Sequence, residues 1–254
     1  MSENLDLAAV IQKLRSARQV VALTGSGISA ESGIPTFRGA EGLWRTYRAQ
    51  DLATPEAFAR SPKLVWEWYD WRRGLMAAKN PHAGHRVLAA WENRFSRFTL
   101  ITQNIDGMHR RAGSKNILEL HGNIWRMRCT QEGTVTENMD TPLSPIPPLC
   151  PDCGALMRPH VVWFGEPLDR EVIHRASLLS AQCDLMLVVG TSAVVQPAAS
   201  LPLSALDAGA PVVEINPEAT PLTPYADFSL RGKAGDILPQ IDSALFRVPR
   251  ENGS

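Results

Sequence analysis

The chain has 254 residues, 44% of them hydrophobic and 20% charged, with Lys+Arg equal to Asp+Glu at 26 each. That length suits one large domain or a large and a small one, and the even charge points to neither nucleic acid nor membrane as a partner. The acidic start from Met1 to Asp6 lacks the form of a secretory leader, no apolar run reaches the roughly 18 residues of a membrane span, and four cysteines make no disulfide framework, so a soluble cytoplasmic protein is expected, with a monomer as the expectation for its oligomeric state.

Leu7, Val10, Ile11, Leu14 and Ala17 recur at helical spacing and predict an amphipathic helix over 6–17. Val20 to Leu23 reads as a buried strand over 19–24. Gly25, Gly27 and Ala30 then fit G-x-G-x-x-G/A, the turn that brings backbone N–H groups and a helix N-terminus to a pyrophosphate. The same pattern also marks an ordinary tight strand-to-helix turn. Ser32-Gly33-Ile34-Pro35 should end that helix almost at once. Phe37 and Arg38 then sit on a glycine-bounded loop, an aromatic and a cation placed as a lid over a ligand.

From 41 to 93 the texture is helical and rich in tryptophan: Trp44, Trp66, Trp68, Trp71 and Trp91. Thr54-Pro55 and Ser61-Pro62 read as N-caps followed by proline at the first helical position. Strand patterns return at Phe98–Thr102, ending on Gln103-Asn104-Ile105-Asp106, and at Asn116–Leu120, ending on His121-Gly122-Asn123. Residues 124–160 form a second odd segment holding three cysteines and six prolines. Strands at 184–189, 211–215 and 226–230 lead into Gly190-Thr191-Ser192, Asn216-Pro217-Glu218 and Gly232-Lys233-Ala234, with a last helix near 236–245. This is an α/β chain with an open parallel sheet, and ligands bind outside the carboxyl ends of such strands. The loops after the strands therefore converge on one crevice.

Several constellations carry chemistry. Asn104 and Asp106 at a strand end are either turn residues or a polar pair able to hold a carboxamide ring or a water. His121 is either structural or a general base. Cys150 and Cys153 have the spacing of a zinc knuckle, but Cys129 is followed at the matching position by Glu132, which leaves open three thiolates plus a carboxylate on zinc or a metal-free loop. Cys183 reads as a buried core thiol. Tyr69 and Arg72 stand three apart on one helix face, either solvated or reaching together into a pocket where the guanidinium would take a carboxylate bidentately. Val161-Val162-Trp163-Phe164-Gly165-Glu166 reads as an ordinary strand, with an edge open to a peptide as the other reading.

Taken together, residues 24–39, 102–106, 121–123, 164–166, 190–192 and 216–218 resemble the sirtuin family of NAD-dependent protein deacylases, in family order across nearly the whole chain. The resemblance implies a Rossmann-like NAD-binding domain from 1–40, 94–123 and 161–254. It implies a smaller domain from the helical insertion 41–93 and a cysteine-containing, zinc-ribbon-like insertion at 124–160. NAD, as a consumed cosubstrate, and an acyl-lysine peptide would lie between them.

By the same resemblance, Gly25, Ser26, Gly27, Ala30, Thr36, Phe37, Arg38 and Trp44 hold or cover NAD, and Gln103, Asn104, Ile105 and Asp106 line the nicotinamide side. Gly190, Thr191, Ser192, Asn216, Pro217, Glu218 and Ala234 take the adenosine side, and His121 is the general base. Val162, Phe164, Gly165 and Glu166 meet the acylated protein, and zinc on Cys129, Cys150 and Cys153 is structural. Tyr69 and Arg72 match the Tyr-x-x-Arg pair of sirtuins that remove succinyl and malonyl groups, so desuccinylation and demalonylation with weaker deacetylation are expected. Glu132 departs from the family's second cysteine. The main alternative is an NAD-dependent protein ADP-ribosyltransferase. A dehydrogenase would need an acidic residue about 20 positions after the glycines, where the helical insertion stands instead.

Overall fold

The computed structural model describes residues 2–36 and 48–246. Phe37, Arg38 and Trp44 lie outside the described residues. Helix α1 (Ser2–Ser16) leads into strand β1 (Gln19–Thr24) and the short helix α2 (Ser26–Ala30). Helices α3 (Ala49–Leu52), α4 (Pro55–Arg60), α5 (Pro62–Ala77) and α6 (Ala83–Trp91) precede β2 (Arg97–Thr102), α7 (Met108–Arg111) and β3 (Ile117–Glu119). Strands β4 (Gly122–Cys129), β5 (Val135–Glu137) and β6 (Met157–Val161) follow. The last part runs α8 (Arg170–Gln182), β7 (Leu185–Val189), α9 (Leu201–Asp207), β8 (Val212–Asn216), β9 (Phe228–Arg231) and α10 (Ala234–Phe246).

Six strands form one parallel sheet in the order β3-β2-β1-β7-β8-β9. Counting only those strands, the order is the doubly wound one that reverses at the centre, here between β1 and β7, where a crevice opens at the carboxyl ends. The near-continuous apolar run of β1 follows from burial on both faces. Val20 and Ala22 pack with Leu14 of α1, Trp91 of α6 and Leu238 of α10. Val21 and Leu23 pack with Ala176 of α8 and Leu201 of α9 on the other side. Thus α6, although it lies in the helical insertion, returns to the core of the large sheet.

Helices α4 and α5 instead pack on a three-stranded antiparallel sheet, β5-β4-β6. The tryptophans explain themselves there. Trp66, Trp68, Trp125 and Trp163 fill the joint between helix and sheet, and the Trp66 indole N–H donates to the Met157 carbonyl at 2.7 Å, satisfying its polar end. Thr54 caps α4 as expected, accepting the Ala57 N–H at 3.1 Å. The Ser61 side chain makes no capping bond, so α5 starts on proline alone.

Two local readings change. The strand read at 161–166 lies at 157–161. Beyond it the Trp163 and Glu166 N–H groups are taken within a turn, by the Glu166 carboxylate and the Trp163 carbonyl, and the Val162 and Phe164 N–H groups donate to His121 and Ala53. An apolar run does not reveal such a turn. The glycines of the first loop also do something other than clear space for a ligand. A Cβ on Gly25 would lie 2.6 Å from the Thr191 Cβ, and one on Gly27 2.7 Å from the Gly190 oxygen. They let the loops after β1 and β7 close on each other, with the Gly27 N–H donating to the Gly190 carbonyl at 2.7 Å.

Gly190 has φ +57, and its Cβ would meet the Ile28 nitrogen at 2.4 Å. Gly190→Ala is expected to destabilise by about 2 kcal/mol or more, from left-handed strain plus a backbone clash. Gly209→Ala, at φ +83 with open space around it, should cost about 1 kcal/mol from strain alone. Urea unfolding of the two variants checks the difference.

Candidate active site

The crevice is built by loops that bond one another before any ligand arrives. Gly25 opens α2, and its N–H donates to the Val189 carbonyl at 3.1 Å. Helix α2 stops after one turn. Gly33, at φ +78, donates to Ala30 while Ile34 donates to Ser29, a Schellman closure that Pro35 keeps from continuing. The Gln103 amide donates to the Thr191 hydroxyl at 2.9 Å and the Asn216 amide to the Thr191 carbonyl at 3.2 Å. The ends of β2, β7 and β8 are thereby tied around residue 191.

Deeper in, Asn104 donates to the Gly25 carbonyl at 2.9 Å and to the Ser29 hydroxyl at 3.2 Å. Ser29 donates to Asp106 at 2.7 Å, and the other Asp106 oxygen accepts the Met108 N–H at 2.8 Å. Burial raises the Asp106 carboxyl above its ordinary value, against the pull of these two donors and Arg72. Ser26, Ser29, Ile34, Pro35, Asn104, Ile105 and Asp106 line a narrow pocket, joined by Arg72 and Met76 from α5. Arg72 is buried, with its guanidinium carbon 4.8 Å from the Trp68 ring centroid. Burial lowers it to about 10, with Tyr69 and Asp106 opposing, so it stays charged at neutral pH. Tyr69 is also buried, but its hydroxyl turns to Trp163, whose indole N–H donates to it at 3.0 Å.

His121 sits at the junction of β3 and β4. Its Nδ1 lies 2.8 Å from the Gln103 carbonyl. A carbonyl can only accept, so Nδ1 carries the proton and Nε2 keeps a lone pair. Burial lowers its pKa, with the Gln103 carbonyl pulling the other way. The result is a neutral imidazole with one basic nitrogen. The His121 carbonyl accepts the Val162 N–H at 2.9 Å, which joins this residue to the 162–166 segment. Within that segment Phe164 is exposed and Gly165 has φ +86. Arg158 holds Glu166 at 2.6 and 2.8 Å. Burial would raise that carboxyl, but the arginine holds it below its ordinary value.

The remaining expected positions lie along the same strand ends. Ser192, Pro217 and Glu218 are exposed, and Thr36 is half-buried. Ala30, the last residue of α2, is exposed, and Ala234 is buried at the start of α10. The Gly235 N–H beside it is capped by the Glu31 carboxylate at 3.0 Å. Sequence reading missed Ser29, which links Asn104 to Asp106. Its one signal is its place a helical turn after Gly25. It also missed a row of three histidines, half-buried His82 and buried His85 and His109, with ring centroids 4.3 and 4.9 Å apart in edge-on and tilted contacts. His109 shares a hydrogen bond with Thr24 at 2.9 Å. Burial draws His85 to about 2 and His109 to about 3.

Cys129, Glu132, Cys150 and Cys153 form a separate cluster, with four ligand atoms within 4.8 Å of one another. The Cys129 and Cys153 sulfurs are 3.5 Å apart, near the ligand spacing of a tetrahedral zinc. These residues fit zinc, which would clip the Cys129 end of β4 to the 150–153 turn. Cys183 stays apart, buried and donating to the Ser180 carbonyl at 3.1 Å. Among the described residues no helix is long and apolar enough to cross a membrane.

A family model described as the Sir2 family matches residues 25–197. An NAD-dependent protein deacylase of Aquifex aeolicus is 55% identical over 222 residues, covering 87% of this chain and 93% of that protein. A solved Sir2 homolog–NAD complex superposes with TM-score 0.88 at 47% identity, covering 94% of this chain and 93% of the other. A Sir2–p53 peptide–NAD+ complex superposes with TM-score 0.83 at 34% identity, over 92% of this chain and 96% of the other. With a doubly wound sheet, loops tied around Thr191 and a neutral histidine at the same crevice, the chain belongs to the Sir2 family and is an enzyme of the NAD-dependent protein deacylase type.

Proposed function

We propose that this enzyme removes succinyl and malonyl groups, and acetyl groups more weakly, from lysine side chains of proteins, releasing nicotinamide and O-acyl-ADP-ribose. The observation that carries the acyl preference is Arg72, a buried guanidinium lining the same pocket as Asn104 and Asp106. A cation there pairs with the distal carboxylate of a succinyl or malonyl group and offers an acetyl group nothing. Tyr69, held by Trp163, places its ring beside the Arg72 guanidinium and links it to the 162–166 segment.

NAD supplies the electrophilic ribose carbon that the acyl oxygen attacks as nicotinamide departs. The chain's part is placement and proton control. The loops at Gly25–Gly27, Gly190–Ser192 and Asn216 hold the cosubstrate, and Asn104 and Asp106 orient the nicotinamide end. His121 takes a ribose hydroxyl proton on Nε2, while Nδ1 keeps its bond to the Gln103 carbonyl. Val162, Phe164 and Gly165 receive the peptide; a Sir2 relative has been solved in complex with a p53 peptide and NAD+. Glu166, engaged by Arg158, shapes that turn.

Mass spectrometry of a succinyl-lysine peptide with and without NAD tests the reading. The expected result is NAD-dependent loss of the succinyl group with one acyl-ADP-ribose formed per lysine freed. Addition of ADP-ribose to protein with the acyl group retained would overturn it.

A further inference from the structure

The cysteine cluster contains two turns of the same build. In one, the Gly154 N–H donates to the Cys150 carbonyl at 2.9 Å, and Gly154 has φ +74. In the other, the Gly133 N–H donates to the Cys129 carbonyl at 3.1 Å, and Gly133 has φ +73. Each turn starts on a cysteine and ends on a left-handed glycine. Cys153 occupies the fourth position of the first turn, and Glu132 occupies it in the second. The Glu132 N–H also points back to the Cys129 sulfur at 3.4 Å. The backbone thus delivers Glu132 to the corner that a fourth thiolate would fill, and its carboxylate lies within 4.8 Å of all three sulfurs.

The four corners differ in surroundings. Cys129 and Cys150 are buried and Cys153 is half-buried, whereas Glu132 is exposed, as are Thr130, Gln131 and Gly133 around it. A Cβ on Gly133 would meet nothing within 4 Å. Two corners are buried, Cys153 is half-buried beside exposed Pro151, Asp152 and Gly154, and the Glu132 corner is the one whose ligand residue is itself exposed. That one carries a hard oxygen ligand, which borderline-soft zinc holds less firmly than a thiolate.

We propose that the metal site is a three-thiolate, one-carboxylate centre whose Glu132 corner is replaceable, so that a small external thiolate displaces the carboxylate and binds the metal directly. The proposal rests on zinc being the metal of this cluster. In the exchange the thiol loses its proton to buffer, a metal–sulfur bond forms and the metal–oxygen bond breaks. No electrons are transferred.

The test is reconstitution of the whole protein with Co2+ and absorption spectroscopy, using β-mercaptoethanol as the added thiol. Wild type should show thiolate-to-cobalt charge transfer that rises by about a third on adding thiol, as three sulfur ligands become four. Glu132→Cys should start at the higher value and not respond. Glu132→Ala should differ from wild type in its ligand-field bands before thiol is added. Identical wild-type and Glu132→Ala spectra would overturn the carboxylate ligand. A wild-type spectrum that thiol leaves unchanged, while Glu132→Ala responds, would overturn the exchange. Cobalt bound by Glu132→Cys and not by wild type would overturn the metal reading itself, whatever the deacylase assay gives.

Discussion

His121→Ala is expected to lower kcat/KM for deacylation by about a hundred- to ten-thousand-fold, the range that a positioned general base contributes. The geometry behind this is narrow. The Gln103 carbonyl fixes the proton on Nδ1, so Nε2 is the only nitrogen that can accept one. Burial lowers the His121 pKa below the ordinary imidazole value, which extends the basic form to more acid pH. The acid limb of the kcat/KM profile should therefore fall below about 6.5, with activity lost as pH drops. A His121→Ala variant of normal thermal stability and near-normal rate would remove His121 from the mechanism.

The same sign governs folding. His85, His109 and His121 are all depressed. The unfolded chain therefore binds protons first as pH falls below the ordinary histidine value, and native stability declines through that window.

Arg72→Met is expected to lower kcat/KM for a succinyl-lysine peptide by about a hundred- to a few-thousand-fold. That follows from the roughly 3–5 kcal/mol lost when a buried charge pair loses one partner, at about 1.4 kcal/mol per tenfold. The substitution also removes a cation that holds the Asp106 carboxyl down, so some general loss accompanies it. The acetyl-lysine peptide is the internal control, and its rate should fall by less than about tenfold. Arg72→Lys should lie between, because an ammonium keeps the charge and loses the bidentate fork. A parallel fall of succinyl and acetyl turnover would sink the acyl-pocket reading and leave Arg72 a structural partner of Asp106 and Trp68.

Much of this was legible along the chain because it depends on local rules. The buried strands announced themselves as short apolar runs, the loops after them as small and polar residues, and the cap of α4 as Thr54-Pro55. From these the parallel sheet and its single crevice followed, as did His121, Asn104 and Asp106 as site candidates. Other features depend on pairing between distant segments. Gly25 and Gly27 read as space for a phosphate, but their missing side chains also let Gly190 and Thr191 approach, and only the β1–β7 contact shows this. Helix α6 lies in a helical insertion, yet its Leu88 and Trp91 return to the large sheet, since a helical period does not say which surface will cover it.

What the sequence alone determined was the kind of fold, the crevice and the chemistry of its lining, because strand burial, turn chemistry and residue type act over a few positions. What only the tertiary structure decided was partnership. The Tyr69 hydroxyl turns to Trp163 while Arg72 lines the pocket with Asp106 and feels its charge, though both stand on one helical face. The His121 tautomer is set by the Gln103 carbonyl, and Glu132 is carried to the thiolates by a turn that mirrors the one at Cys150. These partnerships bring separate segments of the chain together, where side-chain direction and burial, which spacing does not encode, choose the partner.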